Sequence, residues 1–399
     1  MPRISRKMLV ILMVAVSLVG GSLISCTQGA PATSYKIGVV AAQSGQYAAL
    51  GTQGIRGMEL YVDKINAEGG INGIPVELVA YDNKSEATEA SLATKKLVEV
   101  DKVHVVAAGD VTAITSSLIP LINELEVPAT GISGTALFDD QLGAWFFRPM
   151  GAESDYILLN LDYLSRDLGV TEYALLIENS GYGQGGKIFL PQLSPNYGLT
   201  IAEEQYFDPG ATDVSPQLTN IKNSGAQAIF IWGSSPTSAL AVKQAREMDI
   251  NLPIVTTPAQ VMPPFLAEFG SYYEMEPSIV AVTQAIDVWE QLPDTDPYKE
   301  MYREFAEAYQ EKYDSPPAMW AALGGVMAQL IEDSLKRADA DPTNVEETRG
   351  KLRDAMESTN NLMTLIGAYT MSPDDHYGGI DPKMVLVTFA DGQKVYLPR

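Results

Sequence analysis

Residues 36–42 read KIGVVAA, an uninterrupted apolar run that predicts a buried β-strand. Residues 51–68 then show a helical period, and their apolar side chains share one face: Ile55, Met58, Val62 and Ile65. Two glycines, Gly69 and Gly70, end that helix, and residues 75–82 (PVELVAYD) have the pattern of a second strand. Apolar strands that alternate with amphipathic helices are typical of a parallel sheet covered on both faces.

The same alternation continues along the chain. We expect Ser85 to cap a helix that runs to about Asp101. The rest of this first series is a strand at 103–108, a helix at 113–124 and a strand at 128–131. A second series of similar size has helices at 155–168 and 236–248 and strands at 173–177, 199–207, 228–232 and 253–256. The sequence therefore predicts an α/β protein with two doubly wound parallel-sheet units.

The last third of the chain has a different pattern. Three amphipathic segments predict helices at 298–313, 319–338 and 345–358. Residues 385–389 and 395–397 flank the turn Asp391-Gly392, and this arrangement predicts a β-hairpin at the C-terminal end.

The N-terminal segment has the pattern of an export signal. Three basic residues, Arg3, Arg6 and Lys7, precede residues 8–24, which carry no charge, and a short LISC sequence then ends at Cys26. This ending resembles the lipobox of bacterial lipoproteins, in which the cysteine is diacylated and becomes the first residue of the mature chain. The pattern thus predicts export and lipidation at Cys26.

Three regions follow from this interpretation. Residues 1–25 are the expected lipoprotein signal peptide, and residues 26–34, which are small and polar, are the expected tether between lipid and domain. Alternatively, the apolar run is an ordinary transmembrane anchor, although it is near the lower length limit for a span. Both interpretations place the rest of the chain outside the cytoplasm, attached to a membrane.

Composition excludes several classes of function. The chain of 399 residues has a formal net charge of -23 at pH 7, so its surface should repel nucleic acid, and we expect no nucleic-acid partner. Cys26 is the only cysteine, so no internal disulfide can form. The two histidines, His104 in an apolar strand and His376 in a loop, have no metal-ligand or nucleophile pattern around them. We expect no catalytic residue, metal or cofactor, and no enzyme activity.

Several short motifs occur in an order and spacing that resemble one known family. They are KIGVVAAQSGQYAALG from residue 36, DKINAEGGING from residue 63, AYDN from residue 80, Tyr182-Gly183, GAQAIFIWG from residue 225 and KQAR from residue 243. Together they resemble the periplasmic branched-chain amino-acid-binding proteins of the leucine/isoleucine/valine-binding type, over the chain from about Tyr35 to its end. The resemblance implies a type I periplasmic binding fold, with two lobes joined by a three-strand hinge and a ligand in the cleft between them.

The resemblance also implies lobe boundaries. We expect the chain to cross between lobes near Arg148-Pro149, near Val282-Thr283 and near Ile366-Gly367. The first lobe then takes residues 35–148 plus 283–365, and the second takes residues 149–282 plus 366–399. Ligands of open α/β sheets lie outside the carboxyl ends of the strands, at helix N-termini.

Positions that correspond to ligand contacts in this family identify the candidate ligand-binding residues. In the first lobe these are Thr112, Ser133 and Thr135, whose hydroxyl groups and adjacent amides suit a carboxylate. Alternatively, these hydroxyls cap helices. The aromatic candidates for a lid are Tyr47 and Tyr182. Two further candidates end a strand of the second lobe: Trp232, which could equally serve packing, and Ser234.

The subsite for a ligand amino group departs from the family pattern. The amino-acid-binding members have a glutamate after the strand that corresponds to residues 253–256, and it pairs with the ligand ammonium. Here the segment continues as TPAQ, ending at Gln260, and the next acid is Glu268. A family tyrosine is replaced by Leu323. A buried ammonium without a carboxylate partner is costly, so the sequence predicts an altered amine subsite.

The resemblance implies the receptor of an ABC importer, whose partners are a small solute and the permease subunits. The default ligand is a branched-chain or other apolar amino acid, or a related small carboxylate. Binders of aromatic carboxylates or amides are alternatives, because the amine subsite is altered. A sensory receptor of the same fold is a second alternative, and a hydrolase is a third that would need turnover of the solute.

Overall fold

The KIGVVAA segment forms a central strand in a computed structural model of the protein, which describes residues 33–277 and 279–399. The first part of the chain contains β1 (Tyr35–Ala41), α1 (Ala48–Ala67), β2 (Val76–Asp82), α2 (Ala87–Glu99), β3 (Val105–Ala108), α3 (Thr112–Glu124), β4 (Ala129–Thr130) and β5 (Phe146–Phe147). Within the described residues these strands make one sheet in the order β2-β1-β3-β4-β5, and every pairing is parallel. The doubly wound arrangement that the alternation predicted is therefore present.

A second series of elements builds a second sheet. It contains α4 (Glu153–Asp162), β6 (Glu172–Glu178), α5 (Gly181–Leu193), β7 (Thr200–Phe207), α6 (Ser215–Asn223), β8 (Ile229–Trp232), α7 (Pro236–Glu247), β9 (Ile254–Thr256), α8 (Pro263–Tyr273) and β10 (Ile279–Gln284). Along β6, Tyr173, Leu175 and Ile177 pack into one apolar cluster, whereas Ala174 and Leu176 pack into the other. Both faces of this sheet are thus covered, as expected for a parallel sheet.

The last part of the chain contributes to both regions. It contains α9 (Lys299–Tyr313), α10 (Met319–Ala338), α11 (Val345–Glu357), β11 (Leu362–Thr364), β12 (Gly367–Tyr369), β13 (Met384–Ala390) and β14 (Gln393–Leu397). β13 and β14 are the predicted hairpin, and they extend the second sheet, whose order in the described residues is β14-β13-β10-β9-β8-β6-β7. β11 and β12 form a separate antiparallel pair.

α10 returns to the first sheet region and packs along α1. Glycines permit this close crossing: a Cβ at Gly57 would collide with the backbone of Ala321, and a Cβ at Gly324 would collide with the backbone of Gly54. The crossing places the N-terminal end of α10, with Met319 and Trp320, close to the carboxyl ends of β3 and β4.

The structure corrects the sequence prediction in several places. Ser85 does not cap α2, because α2 begins after Glu86. Its Oγ instead accepts from the amide of Tyr47 (3.0 Å) and donates to the carbonyl of Ser44 (2.9 Å), which ties two loops together. The pattern gave no sign of β5, α8 or the β11–β12 pair, and β10 begins before the boundary expected near Val282.

The predicted signal peptide, Cys26 and all of the predicted tether except Thr33 and Ser34 lie outside the described residues. Within the part of the chain that the structure describes, no helix has both the length and the apolar character needed to cross a membrane.

Candidate functional site

A narrow cavity lies where the carboxyl ends of strands from the two sheets face each other. Its volume is about 30 Å³, room for about two water molecules. Two glycines mark where the opposing walls touch. A Cβ at Gly134 would lie 2.7 Å from Cε2 of Tyr182, and a Cβ at Gly181 would lie 3.2 Å from Cγ2 of Thr112. A solute larger than water therefore enters only if the walls move apart.

The lining residues come from both sheets and from α10. They are Asp110, Val111, Thr112, Ile132, Gly134, Met150, Tyr156, Tyr182, Ser234, Thr257, Pro258, Ala259, Met319 and Trp320. Three of the residues predicted from the sequence are among them: Thr112, Tyr182 and Ser234. Most of the others are apolar, so the cavity combines a few polar groups with an apolar wall, as small-molecule sites commonly do.

The first wall carries the predicted hydroxyl groups. Thr112 is the first residue of α3, and its Oγ1 accepts from the amide of Gly134 (3.2 Å). Ser133 is buried, and its Oγ donates to the carbonyl of Thr135 (3.5 Å). Thr135 Oγ1 accepts from the amide of Leu137 (3.2 Å), so it also caps the short helix at 136–141, as the alternative interpretation expected. Thr112 thus lies on the cavity, while Ser133 and Thr135 lie behind it.

The second wall is built on α5 and the end of β8. Ser180 caps α5, and the ring of Tyr182 stacks on Trp232, with 4.8 Å between ring centroids. Trp232 Nε1 donates to the carbonyl of Tyr182 (3.0 Å). Trp232 is fully buried and lies behind Tyr182, so it supports the wall by packing.

Tyr47 is the residue directly before α1, and it is buried. Burial raises its pKa, and the nearby carboxyl groups of Glu178 and Asp110 add to the effect. Tyr47 is not among the residues that line the cavity. The loop that carries it is held by Ser85 and by Asp82, which accepts from Ser44 Oγ (2.6 Å).

Asp110 is a buried carboxyl on the first wall. It accepts from the amide of Ala42 (2.5 Å) and from Asn83 Nδ2 (3.3 Å), and burial raises its pKa to about 6. Its carbonyl accepts from Nε1 of Trp320 (3.1 Å), which fixes the indole against the cavity. The sequence analysis identified neither residue as part of the site.

Glu153 is a second buried carboxyl that the sequence analysis missed. It is the first residue of α4 and is 0% exposed. Its Oε1 accepts from Thr135 Oγ1 (2.6 Å), whereas its Oε2 has no hydrogen-bond partner among the described residues. Burial raises its pKa to about 8. An acid in the first turn of a helix is usually an exposed partner of the helix dipole, so nothing in the sequence distinguished this one.

Gln260 lies in the short helix Pro258–Val261 that follows β9, next to cavity residues 257–259. It is fully buried, and neither atom of its amide has a hydrogen-bond partner in the part of the chain that the structure describes. Leu323 is buried within α10. No carboxyl group therefore lies at the positions where the resemblance placed the amine subsite.

The arrangement suits reversible capture of a small solute. α3 and α5 both begin at the cavity, and the N-terminal ends of helices attract anions. Met150, Met319 and Trp320 supply an apolar surface for the rest of the solute. Among the residues described, no group of three or more His, Cys, Asp or Glu could hold a metal ion.

Comparisons with known proteins agree with this geometry. The family model described as "Periplasmic binding protein" matches residues 34–393. Leu/Ile/Val-binding protein homolog 7 of Brucella abortus is 25% identical over 337 residues, which cover 77% of this chain and 78% of that protein. An amino acid binding protein of Pseudomonas aeruginosa is 26% identical over 215 residues, but this match covers only 54% of this chain and 58% of the relative.

Solved structures are similar over almost the whole chain. An extracellular ligand-binding receptor from Rhodopseudomonas palustris has a TM-score of 0.83 and 21% identity, covering 92% of this chain and 99% of that one. The branched-chain amino acid transporter substrate binding protein of Streptococcus pneumoniae, solved in complex with isoleucine, has a TM-score of 0.77 and 25% identity, covering 91% and 100%. The chain thus belongs to the periplasmic binding protein family, as an extracytoplasmic solute-binding protein with two α/β lobes and not an enzyme.

Proposed function

We propose that the protein is the receptor of an ABC importer and that it captures a small carboxylate-bearing solute between its lobes. The lobes are residues 35–148 plus 283–365 and residues 149–282 plus 366–399. The observation that carries this proposal is the cavity at which α3 and α5 begin on opposite walls, with Thr112 facing Gly181. Because this cavity is too small for an organic solute, binding requires the lobes to open and close about their connections.

The ligand class follows from the two kinds of surface in the cavity. A carboxylate is favoured where α3 and α5 begin, because the first amides of a helix lack partners within the helix. An apolar side chain is favoured against Met150, Met319 and Trp320. Leucine, isoleucine and valine fit this description, and several relatives are named for binding these amino acids. We therefore propose a branched-chain or other apolar amino acid, or a related small carboxylate.

The proposed partners are the solute, the permease subunits of the importer and a membrane. The closed form docks on the permease, and the ATPase of the transporter drives the transport step, so the receptor itself converts nothing. Lipid at Cys26 holds the receptor at the membrane, where its effective concentration near the permease is raised.

A thermal-shift screen against amino acids and carboxylic acids tests the proposal. Ligand at about 100 times its dissociation constant stabilises the folded protein by about 2.7 kcal/mol, which is easily measured. Replacing Thr112, which lines the cavity, and Thr135, which lies behind it, together by alanine should abolish the shift, and Thr135→Ala alone shows how much of the loss comes from the contacts behind the wall. A double variant that binds as tightly as the wild type would refute the assigned carboxylate site, and a screen without any carboxylate ligand would refute the ligand class.

A further inference from the structure

We propose that Arg148 is a positioning residue for solute capture. Its buried guanidinium group ties a loop of the first cavity wall to two of the segments that connect the sheets, so the fit between the cavity walls depends on it. Arg148 is not among the residues that line the cavity, and it therefore acts through other residues and not on the solute itself. This inference rests on the proposed function, because it concerns the same cavity.

Arg148 directly follows β5 and is only 1% exposed. A buried arginine is unusual, because its charge must be removed from water and balanced inside the protein. Apolar side chains of similar volume often stabilise a fold as well as a buried ion pair does, or better. Stability alone therefore does not explain this arginine, and the explanation lies in contacts that only a guanidinium group can make.

The first set of contacts fixes residues 133–139, which we call the wall loop. Nε and one Nη of Arg148 donate to the two carboxylate oxygens of Asp139 (2.7 and 2.8 Å), and this bidentate contact matches the planar shape of the guanidinium. The other Nη donates to the carbonyl of Ser133 (3.1 Å). Gly134, which follows Ser133, lines the cavity. Arg148 thus holds the wall loop at both ends.

The second set of contacts involves residues 148–152, which connect β5 to α4. The Nη that bonds Ser133 also donates to the carbonyl of Met150 (3.4 Å), and Met150 lines the cavity. One guanidinium group therefore joins the wall loop to a segment that leads from the first sheet to the second.

The third set of contacts involves the loop between β12 and β13, which leads into the second sheet. The guanidinium of Arg148 lies 4.5 Å from the ring centroid of Tyr377, and the backbone amide of Arg148 donates to the carbonyl of His376 (2.9 Å). The Tyr377 hydroxyl accepts from the amide of Ala152 (3.2 Å), the residue directly before α4. Two connections between the sheets therefore meet at Arg148.

The wall loop lies where a small displacement has a large effect on the cavity. A Cβ at Gly134 would lie 2.7 Å from Cε2 of Tyr182, so the two walls already touch at this residue. Binding sites function only when supporting residues hold them within about 0.5 Å of the productive geometry. Because one guanidinium holds both the wall loop and the connections, a movement about the connections carries the wall loop with it. Loss of the Arg148 contacts should therefore lower the affinity for solute.

Isothermal titration calorimetry with leucine, valine, phenylalanine and 4-methylpentanoate tests this inference, using the probe that the wild type binds most tightly. Arg148→Lys keeps the charge but cannot form the bidentate contact with Asp139. It should weaken binding of that probe by at least ~10-fold.

The matched control is Arg349→Lys, at a second buried arginine. The guanidinium of Arg349 donates to the carbonyls of Val98 and Val103. Val103 precedes β3, so these contacts lie at the edge of the sheet opposite the cavity. Thermal denaturation of both empty variants measures their loss of stability. Arg349→Lys should bind the probe like the wild type even where its loss of stability equals that of Arg148→Lys.

Two further variants locate the effect. Asp139→Asn acts through the same contact, so adding it to Arg148→Lys should weaken binding little beyond Arg148→Lys alone. Tyr377→Phe keeps the ring beside the guanidinium but removes the acceptor of the Ala152 amide, and it should weaken binding by about 3-fold. If Arg148→Lys does not fold, Asp139→Asn and Tyr377→Phe are compared with Arg349→Lys in its place.

The outcomes separate this inference from the proposed function. A loss of affinity that Arg349→Lys does not share supports the positioning role, because a loss of stability alone would appear in both proteins. Wild-type affinity of Arg148→Lys, or an equal loss of affinity in Arg349→Lys, overturns that role while the receptor function stands. Absence of binding of every probe to the wild type overturns the proposed ligand class, and this inference fails with it.

Discussion

Glu178 and Glu153 are two glutamates with almost the same burial and opposite surroundings. Glu178 ends β6 and is 1% exposed, while Glu153 begins α4 and is 0% exposed. Glu178 accepts from the amides of Ser234 (3.1 Å) and Ser235 (2.8 Å) and from the hydroxyls of Ser234 (3.5 Å) and Ser238 (3.3 Å). Glu153 accepts from the hydroxyl of Thr135, with a weaker contribution from the backbone amide of Ala136, and its Oε2 has no partner in the residues described.

These contacts indicate different roles for the two carboxyl groups. The Glu178 region is satisfied within the protein, because the carboxylate receives the amides just before α7 and benefits from the positive end of that helix. It holds Ser234 in place on the cavity. The Glu153 carboxyl is only partly satisfied, because its Oε2 has no hydrogen-bond partner among the described residues, so its ionised form is disfavoured.

The largest loss of stability that we expect from removing a hydrogen-bonded group is on the Glu178 side. Glu178→Ala should lower the free energy of unfolding by about 3 kcal/mol, since buried donors of Ser234, Ser235 and Ser238 lose their acceptor. Chemical denaturation of the empty protein measures it. Glu311→Ala, at an exposed helical position, should change stability by less than about 0.5 kcal/mol. If Glu178→Ala is as stable as this control, Glu178 does not stabilise the fold and its structural role is refuted.

An effect of opposite sign is expected from Glu153, and its size depends on pH, because it develops only as the pH rises above about 4.5. Burial raises its pKa from 4.5 to about 8, against the opposing influence of Thr135 and Arg148 and with a small contribution from Asp139. Below about pH 4.5 the carboxyl is protonated in both folded and unfolded chains, so it costs nothing there. As pH rises towards 8 the unfolded chain ionises first, and stability falls by at most about 1.4 kcal/mol per pH unit.

The measurement is the stability of the wild type relative to Glu153→Gln across pH 4 to 9. The variant should become progressively more stable than the wild type as pH rises, and the difference should level off above about pH 8. Asp110, whose pKa is also raised, to about 6, is present in both proteins and cancels in the difference. A difference that does not vary with pH would mean that Glu153 is not held in its neutral form by burial.

The smallest effect comes from removing a single donor of Glu178. Ser238→Ala should lower the free energy of unfolding by about 1 kcal/mol, because Glu178 keeps the two backbone amides as donors. Denaturant titration of Ser238→Ala and Glu178→Ala side by side measures how much stability the contacts of Glu178 contribute. Ser238→Ala and Glu178→Ala could lower the free energy of unfolding by the same amount. The Ser238 hydroxyl, and not the amides, would then be the main stabilising contact of Glu178. Glu178 and Glu153 would then resemble each other, since each would depend on one hydroxyl donor.

Much of the fold could be predicted because strand and helix patterns are local. The helix at 319–338 has the predicted bounds, and the hairpin at the C-terminal end is where its turn signal indicates. β5 could not be predicted, since two residues carry no period, and its pairing with β4 depends on the neighbouring strand. Ser85 was misinterpreted for a related reason: its hydroxyl bonds a distant loop at Ser44 and Tyr47, which no local pattern shows.

The candidate site divides in the same way. Thr112, Tyr182 and Ser234 could be placed on the cavity, because residues that follow strands in an α/β fold lie at one edge of the sheet. Trp320 and Met319 could not, since α10 reaches the cavity only by its close packing on α1. Whether Trp232 faces a ligand or packs was open in the sequence, and the stacking behind Tyr182 decides for packing.

The sequence by itself determined the α/β class and indicated the family, because both are expressed in local spacing and order. Only the tertiary structure decided which acids are buried and which of those are satisfied. Glu153 and Glu178 carry the same side chain, and each lies next to a short apolar segment in the sequence. Their difference arises from what packs around them: Glu178 receives two amides and two hydroxyls near the beginning of α7, whereas Glu153 receives the hydroxyl of Thr135 and a weaker contribution from Ala136. Burial and hydrogen bonding join residues that are far apart in sequence, so no local pattern encodes them.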